Sequence, residues 1–123
     1  MSVCIVAAGK ITVLAVAAFT LSWTHSVEKT RWEEDWRVTS AGLQIVEARI
    51  KGSGAGMEPP EGARLEKGWW VYAPDMKALQ SIVLAASGAT GEGWTVCHKG
   101  SCMVVGTAAD DPVVLRKCEN STQ

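Results

Sequence analysis

One phenylalanine and one tyrosine stand in this chain of 123 residues, against six tryptophans. With so little ordinary aromatic packing, indole must supply the aromatic part of the core, and a buried indole N–H needs an acceptor. Organised polar contacts are therefore expected inside. Neither sign of charge is in excess: 12 Lys and Arg oppose 13 Asp and Glu, for a net charge of −1. The basic residues are scattered. The chain thus lacks the electrostatic footprint of a nucleic-acid binder and offers no basic run to an anionic membrane. No apolar run reaches the roughly 20 residues that a membrane-spanning helix needs. Helical periodicity and internal repeats are missing as well, and 12 glycines punctuate the chain. These absences point to an all-β protein. What remains, 47% hydrophobic residues, suffices for one ordinary core in a single domain over residues 1–123.

The clearest local pattern lies between Phe19 and Trp36, FTLSWTHSVEKTRWEEDW. Phe19, Leu21, Trp23, His25 and Val27 share one parity, and Thr20, Ser22, Thr24 and Ser26 share the other. Successive strand side chains point to opposite faces, so this is a half-buried strand with one titratable group, His25, on its apolar face. In the next strand Trp32, Glu34, Trp36 and Val38 share a face, with Glu33, Asp35 and Arg37 opposite.

Residues 11–27 carry no formal charge, and ITVLAVAA is similar to the apolar part of a signal peptide. The alternative is a hairpin, Cys4–Ala7 and Ile11–Val16 around Ala8-Gly9-Lys10. The β-branched content and the turn glycine favour it. Strands are expected beyond it at Leu43–Ile50, Trp69–Tyr72, Ser81–Ala86, Trp94–His98, Cys102–Val105 and Val113–Cys118, with a helical turn at Met76–Gln80. About nine short strands separated by turn signals predict a small antiparallel β-sandwich or a flattened barrel.

A hairpin with Glu28-Lys29-Thr30-Arg31 as its loop sets Val27 opposite Trp32, His25 opposite Glu34, Trp23 opposite Trp36 and Leu21 opposite Val38. A turn at Ser40-Ala41 then sets Leu43 opposite Val38, Ile45 opposite Trp36, Glu47 opposite Glu34 and Arg49 opposite Trp32. This register gathers His25, Glu34 and Glu47 into one row across three strands, with Arg49 beside it. Directly opposed like charges are unfavourable. Glu34 and Glu47 would therefore need a shared proton, a cation, Arg49 or solvent. The plainest reading is a buried hydrogen-bond network that fixes register. The second is a ligand site or divalent-metal site, since imidazole with two carboxylates suits such an ion. Acid–base catalysis comes third, because no nucleophile stands beside the row.

Cys97-His98-Lys99-Gly100-Ser101-Cys102 reads as a tight hairpin with Lys-Gly at its tip. Cys97 and Cys102 are then directly opposed, close enough for a strained and easily reduced bond. Cys4 and Cys118 fall on terminal strands that could be neighbours. Four reduced thiols in a cytoplasmic protein is the competing expectation. Two glycine loops, Gly52–Gly56 and Ser87–Gly91, could offer backbone N–H groups to an anion, which makes Gly54 and Gly56 candidate ligand contacts. Neither loop is a nucleotide motif.

The segments WTHSVEKTRWEEDW, ARIKGSGAGMEPPEGA, GWWV and LAASGATGEGWTVC resemble the bacterial domain-of-unknown-function 1850 family over nearly the whole chain. HSVEK, the Glu-containing strand and GAGM form the specific mark. The resemblance implies a small β domain encoded beside tripartite (TRAP) transporters of the TAXI subtype, with no assigned catalytic residues. It also implies paired strands near residues 3–17. The expectation is a non-enzymatic accessory or binding protein whose partner is a TRAP-type permease or its solute-binding protein. Its rival is a small metal-dependent enzyme centred on His25, Glu34 and Glu47. The expected compartment is the cytoplasm, or the periplasm if residues 1–18 are a cleaved signal.

Overall fold

Three two-residue turns set the local design. Ala8-Gly9, Lys67-Gly68 and Lys99-Gly100 all have positive φ at both positions. That conformation matches the right-handed twist of flanking strands and favours glycine at the second place. The computed structural model describes residues 1–24, 30–51, 61–88 and 92–118, and these contain eleven strands. They are β1 (Val3–Ala7), β2 (Lys10–Leu14), β3 (Ala18–Thr24), β4 (Arg31–Thr39), β5 (Gly42–Lys51), β6 (Arg64–Glu66), β7 (Trp69–Tyr72), β8 (Ser81–Leu84), β9 (Trp94–His98), β10 (Ser101–Val105) and β11 (Val113–Lys117).

The strands form two antiparallel sheets, one ordered β2-β1-β11-β8 and the other β10-β9-β3-β4-β5-β7-β6. The fold is an all-β sandwich and not a closed barrel. Val3, Ile5, Leu84, Val113 and Leu115 meet Phe19, Leu21, Trp36, Val38, Leu43, Ile45 and Val96 in its core. Each such large side chain removed from water contributes about 1.5–3 kcal/mol. Val3 and Ile5 are almost completely buried, so the N-terminal strands are part of the core. The outward face of the smaller sheet aligns Ile11, Val6, Val114 and Val83 in one cross-strand row.

Leu79 lies where a helical turn was expected. It is extended instead, exchanging two backbone hydrogen bonds of 2.8 Å with Leu43. The backbone approaches so closely there that a Cβ on Gly42, at φ +126°, would sit 2.4 Å from the Leu79 carbonyl oxygen. Only glycine fits that position without displacement. The short strand β6 was not foreseen, since it is a three-residue edge strand with every residue exposed.

Two registers differ from expectation, and both bear on the candidate site. In the β3–β4 pair Trp23 faces Trp32, Leu21 faces Glu34 and Phe19 faces Trp36. The strands are displaced by two residues each from the expected hairpin, with parity retained. Face parity cannot separate these alternatives, because both keep the same residues on the core face. Specific contacts select the observed one: Trp23 and Trp32 stack with centroids 5.8 Å apart, Arg31 Nη2 donates to Ser22 Oγ at 2.8 Å, and Thr20 Oγ1 donates to Asp35 at 2.8 Å.

In the β4–β5 pair, Val38↔Leu43 and Trp36↔Ile45 are as expected, but Asp35 then faces Glu47. Val46 is the extra residue of a β-bulge and turns outward, 42% exposed. Past it the parity of β5 reverses, so Ala48 and Ile50 face the core while Glu47 and Arg49 face away.

Candidate functional site

The bulge distributes four acidic residues over two faces of the larger sheet. On the outer face Arg49 gathers three of them. Its Nε donates to Glu33 at 3.0 Å, Nη1 to Asp35 at 2.8 Å and to Glu47 at 2.7 Å, and Nη2 to the other Asp35 oxygen at 3.0 Å. The fork matches the Asp35 carboxylate with two parallel bonds, the strong geometry for such pairs. Arg49 hydrogen bonding, opposed by desolvation and aided by the Thr20 hydroxyl, holds the Asp35 carboxyl below the ordinary carboxylate range. The Asp35 bond also leads in raising the Arg49 pKa, so this guanidinium is a fixed cation. Arg64 approaches Glu47 from the edge at 3.9 Å.

The inner face is different in kind. Glu34 occupies a cross-strand row whose neighbours are Leu21 and Ala48, followed by Tyr72. Its Oε1 accepts the Trp36 Nε1–H at 3.0 Å. Burial pushes the Glu34 carboxyl above its usual range, and the indole bond only partly opposes this. Tyr72 is raised too, first by burial and then by the nearby Glu34 charge. One position along the strands, Trp23 stacks on Trp32 and meets Trp94 at 4.9 Å. The Trp94 Nε1–H donates to the Ala85 carbonyl at 2.9 Å. Trp32 Nε1 is buried and has no hydrogen-bond partner among the described residues.

The expected row of His25, Glu34 and Glu47 is therefore not formed: Glu34 faces inward, and Glu47 faces outward with Arg49. The opposed carboxylates are Asp35 and Glu47, not Glu34 and Glu47, and the Arg49 guanidinium lies between them. Arg49 faces Glu33 and not Trp32. His25, Gly54 and Gly56 lie outside the described residues. Among the described residues no three His, Cys, Asp or Glu side chains are grouped to hold a metal ion. Cys97 and Cys102 are directly paired and bonded, and a second disulfide joins Cys4 to Cys118.

Sequence reading missed Tyr72, Trp32 Nε1, and the roles of Glu33 and Asp35. One signal was available for the last two. Apolar residues in β5 fall at Leu43, Ile45, Val46, Ala48 and Ile50, and the doublet Ile45-Val46 marks where alternation changes parity.

The molecule is thus an all-β sandwich whose larger sheet carries a neutralised charge cluster outside and a carboxyl among indoles inside. The family model of Domain of unknown function (DUF1850) matches residues 19–104, and the chain belongs to that family. The matched span begins within β3 and ends within β10, so it contains both faces of this site. Comparison with curated proteins and with solved structures finds no match.

Proposed function

We propose that this protein is a non-enzymatic binding module whose ligand contacts the inner face around Glu34. One observation carries the reading. A half-buried carboxyl held by one indole N–H lies two residues along β4 from a buried indole N–H that has no acceptor among the described residues. Groups of this kind are normally satisfied, and an indole N–H without a partner among the described residues is open to an acceptor from a ligand. A ligand bearing both a hydrogen-bond acceptor and a donor fits the pair: the acceptor for Trp32 Nε1–H, the donor for Glu34. Trp23 and Trp94 supply aromatic surface beside it, the common composition of a small-molecule site.

The family resemblance extends this proposal to an accessory role beside a TRAP-type transporter of the TAXI subtype, with the permease or its solute-binding protein as partner. The two disulfides favour an oxidising compartment such as the periplasm over the cytoplasmic expectation. On this reading residues 3–14 are retained as β1 and β2. The rival metal-dependent enzyme would need Glu34 and Glu47 on one face, whereas they lie on opposite faces of the larger sheet.

Tryptophan emission and melting temperature, followed as the full chain is titrated with a panel of small amino acids and organic acids, test the reading. A saturable response to at least one member is expected, weakened in Glu34→Gln and in Trp32→Phe. A response unchanged in both variants, or a flat response across the panel, overturns the site.

A further inference from the structure

We propose that the Cys97–Cys102 disulfide is a thiol–disulfide exchange site that takes a dithiol reductant, while Cys4–Cys118 is structural. The argument begins with the hairpin. β9 and β10 are joined by Lys99-Gly100, at φ +48° and +82°, and His98↔Ser101 is the closing pair. A two-residue loop makes that pair the hydrogen-bonded one, so Cys97↔Cys102 is the next, non-hydrogen-bonded pair. Residues in such pairs lie closer together than disulfides favour, at about 4.5 Å against a usual 5.5–6 Å between Cα atoms. Here the separation is 4.0 Å. β9 is held on its other side by β3 through Thr20↔Cys97 and its neighbouring pairs, so relief would require β10 to part from its ladder with β9. A bond held away from its preferred geometry is more oxidising and exchanges more readily than a structural one.

Access agrees with this. β10 is the edge strand of its sheet, Cys102 is exposed and Cys97 is half-buried. A cleft of about 440 Å³ opens beside Cys97, lined in part by Thr20, Asp35, Arg37, Val46 and Lys99. Asp35 is already neutralised by Arg49, which leaves Arg37 and Lys99 to favour the departing Cys97 thiolate. Cys4, by contrast, is 7% exposed, and its bond to Cys118 spans 114 residues with a Cα separation of 5.0 Å.

The exchange balances in two steps. A thiolate of the reductant attacks Cys102 Sγ, the bond to Cys97 breaks, and Cys97 leaves with the electron pair and takes up a proton. The reductant's second thiol, losing its proton, then attacks its own sulfur in the mixed disulfide and releases the Cys102 thiolate, which is protonated in turn. The protein gains two electrons and two protons, and the dithiol becomes a disulfide. The hairpin keeps its backbone pairing throughout, so no unfolding is required.

The test uses the native full chain, equilibrated in graded mixtures of reduced and oxidised dithiothreitol, then alkylated and mapped by mass spectrometry. Cys97–Cys102 should reduce at a ratio of reduced to oxidised reagent at least about tenfold lower than Cys4–Cys118 does. Coincident reduction, or earlier loss of Cys4–Cys118, overturns the exchange site. In a glutathione buffer the mixed disulfide should map to Cys102, with Cys97 free. Adducts on Cys97, or spread evenly over the two, overturn Cys102 as the attacked sulfur. The double variant Cys97→Ser, Cys102→Ser should retain the far-ultraviolet circular dichroism and tryptophan emission of the native chain. Loss of both would mean that the bond is structural.

Discussion

Asp35 and Glu47 face each other directly across β4 and β5, and the Arg49 guanidinium donates to both, at 2.8 and 2.7 Å. Opposed carboxylates repel on a sheet, and here a cation two residues along the same strand relieves the pair. The bulge at Val46 makes this possible, because it turns Glu47 and Arg49 outward together.

Arg49→Ala should therefore destabilise by about 1–3 kcal/mol, since it strips charge-assisted bonds from Glu33, Asp35 and Glu47 together. Arg49→Lys should recover only part of this, because an ammonium cannot form the two parallel bonds to Asp35. Urea midpoints of the two variants and the wild type decide it. An Arg49→Ala midpoint equal to wild type would mean that the cluster is solvated.

The pH dependence of the same cluster has a definite sign. Asp35 has its folded value below its ordinary 3.8. Its contribution is complete above 3.8 and is lost as pH falls through the depressed folded value. Asp35→Asn should flatten the loss of stability on acidification below about pH 4, measured by denaturation midpoints from pH 6 downward. A slope identical to wild type would show that Asp35 is not coupled to folding.

Glu34 works in the opposite direction. Its folded value lies above the ordinary 4.5, so its contribution is complete below that value and lost as pH rises through the folded one. Glu34→Gln keeps an acceptor for the Trp36 indole without the half-buried charge. It should equal or exceed wild-type stability at pH 7, with the difference shrinking or reversing at pH 4. A variant less stable than wild type at pH 7 would contradict the inward placement of this carboxyl.

Glycine substitutions should separate turn strain from close approach. At Gly9 a Cβ meets nothing within 4 Å, so Gly9→Ala carries only the positive-φ penalty of about 1 kcal/mol. At Gly42 the Leu79 carbonyl stands in the way, and Gly42→Ala should cost more, about 2–3 kcal/mol. Equal melting temperatures for the two variants would disprove the Gly42–Leu79 approach.

The two disulfides should also differ in stabilisation. Closing a loop of 114 residues removes more denatured-state entropy than closing one of 5. The loop-entropy relation gives about 4–5 kcal/mol for Cys4–Cys118 and about 2 kcal/mol for Cys97–Cys102. Serine replacement of each pair, followed by denaturant titration, should preserve that order. The reverse order would assign the structural role to the hairpin bond.

Much of the architecture was open to reading because its determinants are local. The alternation from Phe19 to Trp23 and from Trp32 to Val38 set which side chains of β3 and β4 face the core. Turns with glycine, Ala8-Gly9-Lys10 and Lys99-Gly100, marked the β1–β2 and β9–β10 hairpins, and the second brought Cys97 opposite Cys102. These patterns depend only on the period of a strand and the φ of a turn residue. The β3–β4 register and the β5 faces past Val46 needed the folded molecule. Displacing two strands by two residues each leaves every apolar side chain on its face, so face parity does not separate the two registers. Trp23 stacking on Trp32, and Thr20 reaching Asp35, lift that degeneracy only once the sheet is assembled. The bulge likewise resolves a conflict between Glu47 and Ala48 for the core face, and packing against the second sheet awards it to Ala48. That Glu47 lies outward was therefore a tertiary decision, made by the residue that best fills the space beneath β5.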